Sequence, residues 1–406
     1  MALPTSLPAP SLARSAVAVI IAGCLIALIG FGPRSSFGLF LEPMTMAHSW
    51  DRQTFALAMA IQNLLWGAGV PIASAISDRF GPARVLALGA LIYGLGILGM
   101  AYSGSGLVLQ ATGGILTGLG VAFTSFSIAL AAIARVVDPS RRSLALGLGT
   151  AAGSMGQVVF SPLTQAMIGT LGWFQALVIL AGIVLLIVPL AFVLPNDSGG
   201  GRAAAEQTIG EALREALGNQ SYLLLTAGFF VCGFQVAFIT VHYPAYVKDL
   251  GFSAQVGAYA LALIGLFNIV GSLLAGAAGQ RWSKPYGLSL IYICRSIATV
   301  LLLMAPKTEA TILVYAAVMG LLWLSTVPLT TGIVAQIFGV RYMATLFGIV
   351  FFSHQVGSFL GVWLGGYYYD KLGSYDPVWW MNIAFGVFAA IIHLPIRERP
   401  VARLAG

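Results

Sequence analysis

Three side chains able to bind or carry charge interrupt apolar runs: Arg34 in ALIGFGPRSSFGLF, Arg295 in IYICRSIAT and His354 in FFSHQVGSF. A guanidinium presents a planar fork that can hold both oxygens of a carboxylate, and it keeps its charge at physiological pH. An imidazole can donate to an anion or carry a proton near neutrality. The amides Gln62, Gln157, Gln235 and Asn268 and the hydroxyls of Ser154 and Ser358 lie in similar runs and add neutral donors and acceptors. What is missing narrows the chemistry. The remaining histidines, His48, His242 and His393, are scattered. Cys24, Cys232 and Cys294 lie inside apolar runs without metal-ligand spacing, which reads them as small core residues. No nucleotide-binding glycine loop or nucleophile triad appears. The residues therefore point to binding of a small molecule, not to an enzyme, a metal site or a cofactor.

Such groups need elements that hold them in an apolar setting. Of the 406 residues, 59% are hydrophobic and 8% charged, against roughly 25% charged in soluble domains. So few charges cannot cover a water-facing surface of this size. That excludes a soluble multidomain enzyme, and the high hydrophobicity excludes disorder. The 49 glycines show no three-residue period, which removes collagen. The apolar runs are about twice the ~10 residues of a transmembrane barrel strand. An all-α polytopic membrane protein remains.

Charges, prolines and turn clusters divide the chain into twelve spans: 15–41, 54–77, 85–102, 107–134, 143–170, 173–194, 221–247, 255–279, 286–304, 310–338, 343–368 and 378–395. Backbone polar groups find no water in lipid, so each span must be a helix. The first run lacks an A-x-A-like cleavage site and is expected to stay. With the N-terminus in the cytoplasm, 14 of the 20 Lys and Arg fall on the cytoplasmic side, 4 on the other and 2 inside spans. The positive-inside rule then puts both termini in the cytoplasm. The net charge of +7 reflects this orientation in a plasma membrane, not nucleic-acid binding.

The halves repeat. Gly69, Gly118 and Arg79 map by +202 onto Gly271, Gly320 and Arg281, while Pro43, Gly147 and Gly156 map by +201 onto Pro244, Gly348 and Gly357. An offset near half the chain length, held over several spans, marks a duplicated six-helix unit. The expected units are an N-terminal bundle, 1–194, and a C-terminal bundle, 221–406, joined by a cytoplasmic linker, 195–220. In the linker, TIGEALREALGN reads as a short amphipathic helix on the membrane face. Thr208 and Glu211 can form a capping box, and Gly218 ends the pattern.

The stretch GVPIASAISDRFGPAR (69–84) resembles the signature loop of the major facilitator superfamily, with Asp78, Arg79, Gly81 and Arg84 in the matching places. Pro82 and Ala83 depart from the usual basic residues. GSLLAGAAGQRWSK keeps a degraded second copy, in which Gln280 replaces the acid and Arg281 remains. Within that superfamily, SSFGLFLEPM and GLGTAAGSMGQ resemble the monocarboxylate-transporter and oxalate–formate-antiporter branch. The basic residue common in that branch's eighth span has no counterpart here. The resemblance implies two six-helix bundles related by a pseudo-twofold axis, with the first span lining a central cavity. It also implies a gating role for Asp78, Arg79, Gly81, Arg84 and Arg281, whose contacts break and re-form as the bundles rock. Plain positive-inside anchoring is the alternative role for the basic loop residues.

Arg34 lies nine residues before Pro43, about 13 Å at helical rise and near mid-depth of a ~30 Å core. At that depth a charge costs about +2.5 kcal/mol or more, so it needs a partner or a water-filled hollow. The proline-based repeat puts Gln235 opposite Arg34. A carboxylate site would then consist of Arg34, Gln235 and His354, with Gln157, Ser154 and Asn268 as further polar lining. The alternatives are an Arg34 that snorkels outward or pairs with Glu42, a His354 that is only a satisfied core histidine, and polar residues that only join helices. Arg295, in a span that is peripheral in this fold, is expected to bond a neighbouring helix's carbonyls. None of the 13 acidic residues falls at mid-depth, which disfavours export of cationic drugs. The expected function is secondary transport of a small organic anion, a monocarboxylate or related carboxylate, by a monomer in the bilayer. Coupling would be proton symport through His354 or anion exchange. An exporter of drugs or amphipathic metabolites on the same fold and a non-transporting membrane sensor are the competing readings.

Overall fold

Apolar length decides the elements here. The computed structural model describes residues 16–137, 142–195, 208–339 and 342–402, and twelve long helices stand where the twelve apolar runs lie. Ten of these are long and apolar enough to cross a membrane by length and composition. They are Ala16–His48, Arg52–Ser77, Pro82–Ala101, Gly106–Ile133, Trp173–Ala191, Gln220–Asp249, Ala254–Ala278, Lys284–Met304, Glu309–Phe338 and Thr345–Leu372. Arg142–Leu171 and Asp376–His393 fill the fifth and twelfth places.

Local chemistry sets the ends. Ser105, Thr308 and Asn219 each accept a hydrogen bond at a helix start, from the backbone N–H of Val108, Thr311 and Tyr222. Between the second and third helices, Gly81 takes φ +88, a left-handed value that L side chains resist, and Pro82 opens the next helix. The linker segment Ile209–Leu217 is helical, and its capping box is complete. Thr208 N donates to Glu211 Oε2 at 2.8 Å and Glu211 N to Thr208 Oγ1 at 3.3 Å. Those bonds hold the exposed Glu211 carboxyl below its ordinary range. Ala212 and Ala216 are the buried side of this helix, and Ala216 packs with Tyr222 and Leu225 of the seventh span.

Among the described residues four spans are interrupted, the sixth only at Leu186 between Trp173–Leu185 and Ile187–Ala191. The first gives way after Ser35 to a tight turn, Phe37–Phe40, before Leu41–His48. The fourth breaks between Thr117–Phe123 and Phe126–Val136, and the tenth between Glu309–Leu322 and Thr326–Phe338. The last two breaks fall near equivalent places of the repeat.

Small residues let the helices of each bundle touch. A Cβ on Gly156 would strike the carbonyl of Leu28, and one on Gly357 the carbonyl of Phe230. Gly118 and Gly320 stand in the same relation to the backbones of Gln62 and Ile264. Without a hydrophobic drive between helices in lipid, such close approach is what packing can use.

Candidate functional site

The eight spans other than the third, sixth, ninth and twelfth enclose a cavity of about 450 Å³. Its wall takes Phe31 and Arg34 from the first span, Asn63 and Trp66 from the second, and Ser154 and Gln157 from the fifth. The second bundle supplies Phe229, Asn268, Trp323, Phe351 and His354. Among the described residues no Asp or Glu lines it.

Arg34 reaches this cavity because the first helix stops beside it. Ser35 Oγ donates to Gly32 O at 2.6 Å and Ser36 Oγ to Pro33 O at 2.7 Å, so hydroxyls take up carbonyls at the helix end. The guanidinium sits at the negative end of that helix dipole. Arg34 Nη2 donates to Asn63 Oδ1 across a short bond, and its Cζ lies 4.1 Å from the centroid of the Trp66 ring. Its Nε is buried with no partner among the described residues. Glu42, the alternative counter-ion, pairs instead with Lys248 at 2.8 Å. The charge thus meets an amide and a ring face, but no carboxylate.

Gln235 does not face Arg34. Its Nε2 donates to Asn382 O at 2.9 Å and its Oε1 accepts from Arg295 Nη1 at 3.2 Å, away from the cavity. The reason is register. Gly156 packs against Leu28 and Gly32, and Gly357 against Phe230 and Phe234, which fixes the offset here at +202. Arg34 therefore corresponds to Val236, which does line the cavity. The +201 offset holds only beyond the Phe37–Phe40 turn, since the seventh span runs as one helix through Gln220–Asp249. A slip of one residue turns a helical side chain by about 100°.

His354 lines the cavity and is stacked on Phe351 at 5.8 Å between centroids. Its Nδ1 lies 2.9 Å from Gln355 Oε1 and 3.5 Å from Ser358 Oγ. Gln157, Ser154 and Asn268 line the cavity and also tie the bundles together. Gln157 Nε2 donates to Leu261 O at 2.9 Å, and Asn268 Nδ2 donates to Ser154 Oγ at 3.1 Å. Asn268 Oδ1 also accepts from Leu324 N, next to the break in the tenth span. Gln62 Nε2 donates to Gly113 O and serves the second and fourth spans.

Two amides of the cavity wall escaped the sequence reading. Asn63, the partner of Arg34, sits one turn before Trp66, a spacing that could have marked it. Gln355 is fully buried, and its Nε2 has no partner among the described residues. Its position beside His354 was its only signal.

Arg295 follows expectation. Fully buried, it donates from Nε and Nη2 to Leu322 O at 3.2 and 2.6 Å, and from Nη2 to Trp323 O. Those carbonyls are left over by the break in the tenth span, so Arg295 caps it. Its Nη1 also contacts Cys232 Sγ at 3.4 Å, which gives that core cysteine a polar neighbour.

The two ends of the bundle pair differ. At one end Arg52 binds Asp249 in bidentate fashion, at 2.7 Å for each bond, and lies 3.7 Å from the Tyr369 ring centroid. Asp370 accepts from Arg52 N at 3.0 Å and Gln53 N at 2.7 Å. With Lys248–Glu42, these contacts join the first half of the chain to the second. A second hollow at this end, about 420 Å³, is built by residues 246–380 alone and so lies outside the inter-bundle space.

At the other end Arg79, Arg84 and Arg281 are exposed, and none of them forms an ion pair among the described residues. Arg79 lies over Phe80 at 5.2 Å. The Asp78 side chain lies outside the described residues. Among the described residues, the expected cross-bundle ion pairs of Arg79, Arg84 and Arg281 are not seen. The cavity reaches Phe347, four residues from the start of Met343–Leu372, and so extends toward this end.

Known proteins share this architecture and sequence. The D-xylose–proton symporter superposes with a TM-score of 0.76 at 15% identity, covering 95% of this chain and 99% of that one. A bacterial homologue of the human lysosomal transporter Spinster, inward-facing and occupied, gives 0.74 at 15% identity over 92% and 95%. In sequence, the uncharacterized MFS-type transporter YcxA of Bacillus subtilis is 29% identical over 381 residues, 91% of this chain and 92% of its own. Monocarboxylate transporter 13 of Rattus norvegicus is 26% identical over 368 residues, 88% and 83% of the two chains. The family model of the Major Facilitator Superfamily matches residues 23–352 and 260–406. With the twelve-helix fold and these matches together, the chain belongs to the major facilitator superfamily and is related to its monocarboxylate transporters.

Proposed function

We propose that the protein is a secondary transporter of a small organic anion, a monocarboxylate or related carboxylate, working by alternating access. The observation that carries this reading is Arg34, a charge on the cavity wall with an amide and a ring for company and no acid among the described residues to neutralise it. A carboxylate is the natural counter-ion for such a fork. His354, Gln355 and Ser358 would orient the rest of the solute, with Gln157, Ser154 and Asn268 lining the path between the bundles. Gln235 takes no part.

The bundles 1–194 and 221–406 would rock about this site, with 195–220 as connector. Both termini would lie in the cytoplasm of a plasma-membrane protein acting as a monomer. In that orientation the Arg52–Asp249 end is external and sealed, and the cavity opens inward. The loop residues Asp78, Arg79, Gly81, Arg84 and Arg281 would gate the inner side, with ion-pair partners for the arginines forming in the outward-open state. Among the described lining residues His354 is the sole histidine, so symport would run through it.

Reconstituted protein tests the assignment. Uptake of a radiolabelled carboxylate should fall at least tenfold in Arg34→Lys and vanish in Arg34→Ala. Wild-type flux in Arg34→Ala would refute the role. With His354→Gln, uphill uptake driven by a proton gradient should be lost while exchange persists. Uphill uptake that survives would exclude His354 as the carrier.

A further inference from the structure

The cavity is large for the single charge it holds. Its volume of about 450 Å³ lies within the ~300–1,000 Å³ of pockets that enclose drug-sized ligands. Beside the charge the wall is aromatic and continuous. Arg34 stands 4.1 Å from the Trp66 centroid, Trp66 meets Phe351 edge to face at 5.3 Å, and Phe351 stacks on His354. His354 in turn lies 5.0 Å from Phe229. Trp66 comes from the second span and Phe351 from the eleventh, so this row of rings crosses the bundle interface next to Arg34. Among the described lining residues Arg34 is the sole Lys or Arg. One carboxylate can be neutralised there, and a second would be left in an apolar setting without a cation.

We infer that the preferred solute is a monocarboxylate with an aromatic or similarly bulky apolar body. Its carboxylate is held at Arg34, its body packs against Trp66 and Phe351, and short acids and dicarboxylates are poor ligands. This rests on the reading of Arg34 as a carboxylate receptor and adds what stands beside it. Ring faces offer apolar area to the body and offset or edge contacts to an aryl group.

Calorimetric titration of the purified full-length protein with acetate, pyruvate, succinate, benzoate, 3-phenylpropionate and benzyl alcohol tests it. Benzoate and 3-phenylpropionate should bind at least tenfold tighter than acetate, pyruvate and succinate. Phe351→Ala should erode that advantage at least fivefold and leave acetate unchanged. If Phe351→Ala does not fold, Phe351→Leu keeps bulk while removing the ring and should erode it in the same direction. Pyruvate binding as tightly as benzoate would overturn this inference and leave the carboxylate site standing. Benzyl alcohol matching benzoate, or no acid binding at all, would instead overturn the reading of Arg34 on which it rests.

Discussion

Arg34 and Arg295 are both arginines set in apolar helices, yet their surroundings assign them opposite work. Arg295 spends its donors on the carbonyls of Leu322 and Trp323 and on Gln235, and is wholly buried. Among the described residues Arg34 has one acceptor, Asn63, and it has the cavity beside it. A cation whose donors are taken by backbone and core side chains is a structural part, because nothing remains to recognise a solute. A cation with donors to spare beside a hollow is free to recognise a solute, the role proposed for Arg34. The arginine that caps a broken helix and the arginine that waits at one differ in partners, not in depth.

Replacing each with alanine should separate them by the largest margin. Arg295→Ala leaves two carbonyls and an amide oxygen unpaired in the core, at a cost of about 3 kcal/mol or more. Little folded protein should survive solubilisation, as read by size exclusion and thermal melting. Arg34→Ala removes a charge that has no ionic partner, and its melting temperature should match the wild type or rise. A collapse of Arg34→Ala comparable to that of Arg295→Ala would break the distinction.

The difference between the two was partly legible beforehand. The apolar runs, the positive-inside count and the Asp78–Arg84 loop specify helices and a fold, because length and composition alone decide what can cross lipid. Arg34 was legible as a cavity residue from its distance to Pro43, and Arg295 as structural from its peripheral span. Gln235 was misplaced because two markers of the repeat disagree by one residue. The prolines report +201, whereas the first-span and seventh-span residues that Gly156 and Gly357 pack against report +202, and the Phe37–Phe40 turn that reconciles them leaves no clear mark in the sequence. Asn63 and Gln355 were missed for a plainer reason. An amide in an apolar run bonds whatever tertiary packing brings to it, and periodicity does not say what that is. Nor could composition tell which end of the bundles is closed, since sealing by Arg52, Asp249 and Asp370 depends on conformation.

The acceptors of the two arginines make a subtler test. Gln235→Leu should lower the melting temperature, because Arg295 Nη1 loses a buried acceptor worth about 1–2 kcal/mol. Its effect on ligand affinity should stay within twofold. Asn63→Leu should do the reverse, holding the melting temperature while weakening carboxylate binding five- to tenfold, since Arg34 loses the group that fixes its plane. Reversed outcomes would mean that Arg34 supports the fold and Arg295 the ligand.

Charges at the sealed end test the same rule where water reaches. Arg52–Asp249 is bidentate but partly exposed, with side chains 12% and 30% accessible, so its loss should cost on the order of 1 kcal/mol. That is enough to shift a two-state population about fivefold. In a chain with Cys24, Cys232 and Cys294 replaced by alanine, a reporter cysteine at Thr240 should react several times faster with an impermeant maleimide once Arg52 becomes Gln. An unchanged rate would mean that packing, such as Gly38 against Thr240 and Val241, holds this end without the ion pairs.

The smallest effect belongs to a charge with no burial at all. Glu211 closes the capping box of Ile209–Leu217 by accepting from Thr208 N, and that bond holds its carboxyl below the ordinary carboxylate range. A group whose folded value is depressed stabilises the helix above the unfolded value, near 4.3, and loses that contribution as pH falls through the lower folded one. Hydrogen-exchange protection of this segment, corrected for intrinsic rates, should therefore hold from pH 8 to about 5 and decline below about 4. Glu211→Gln keeps an acceptor for Thr208 N but cannot titrate, so its protection should be slightly lower and flat across the same range. A Gln variant that still declines with acid would place the sensitivity in the bundle against which Ala212 and Ala216 pack, not in the cap.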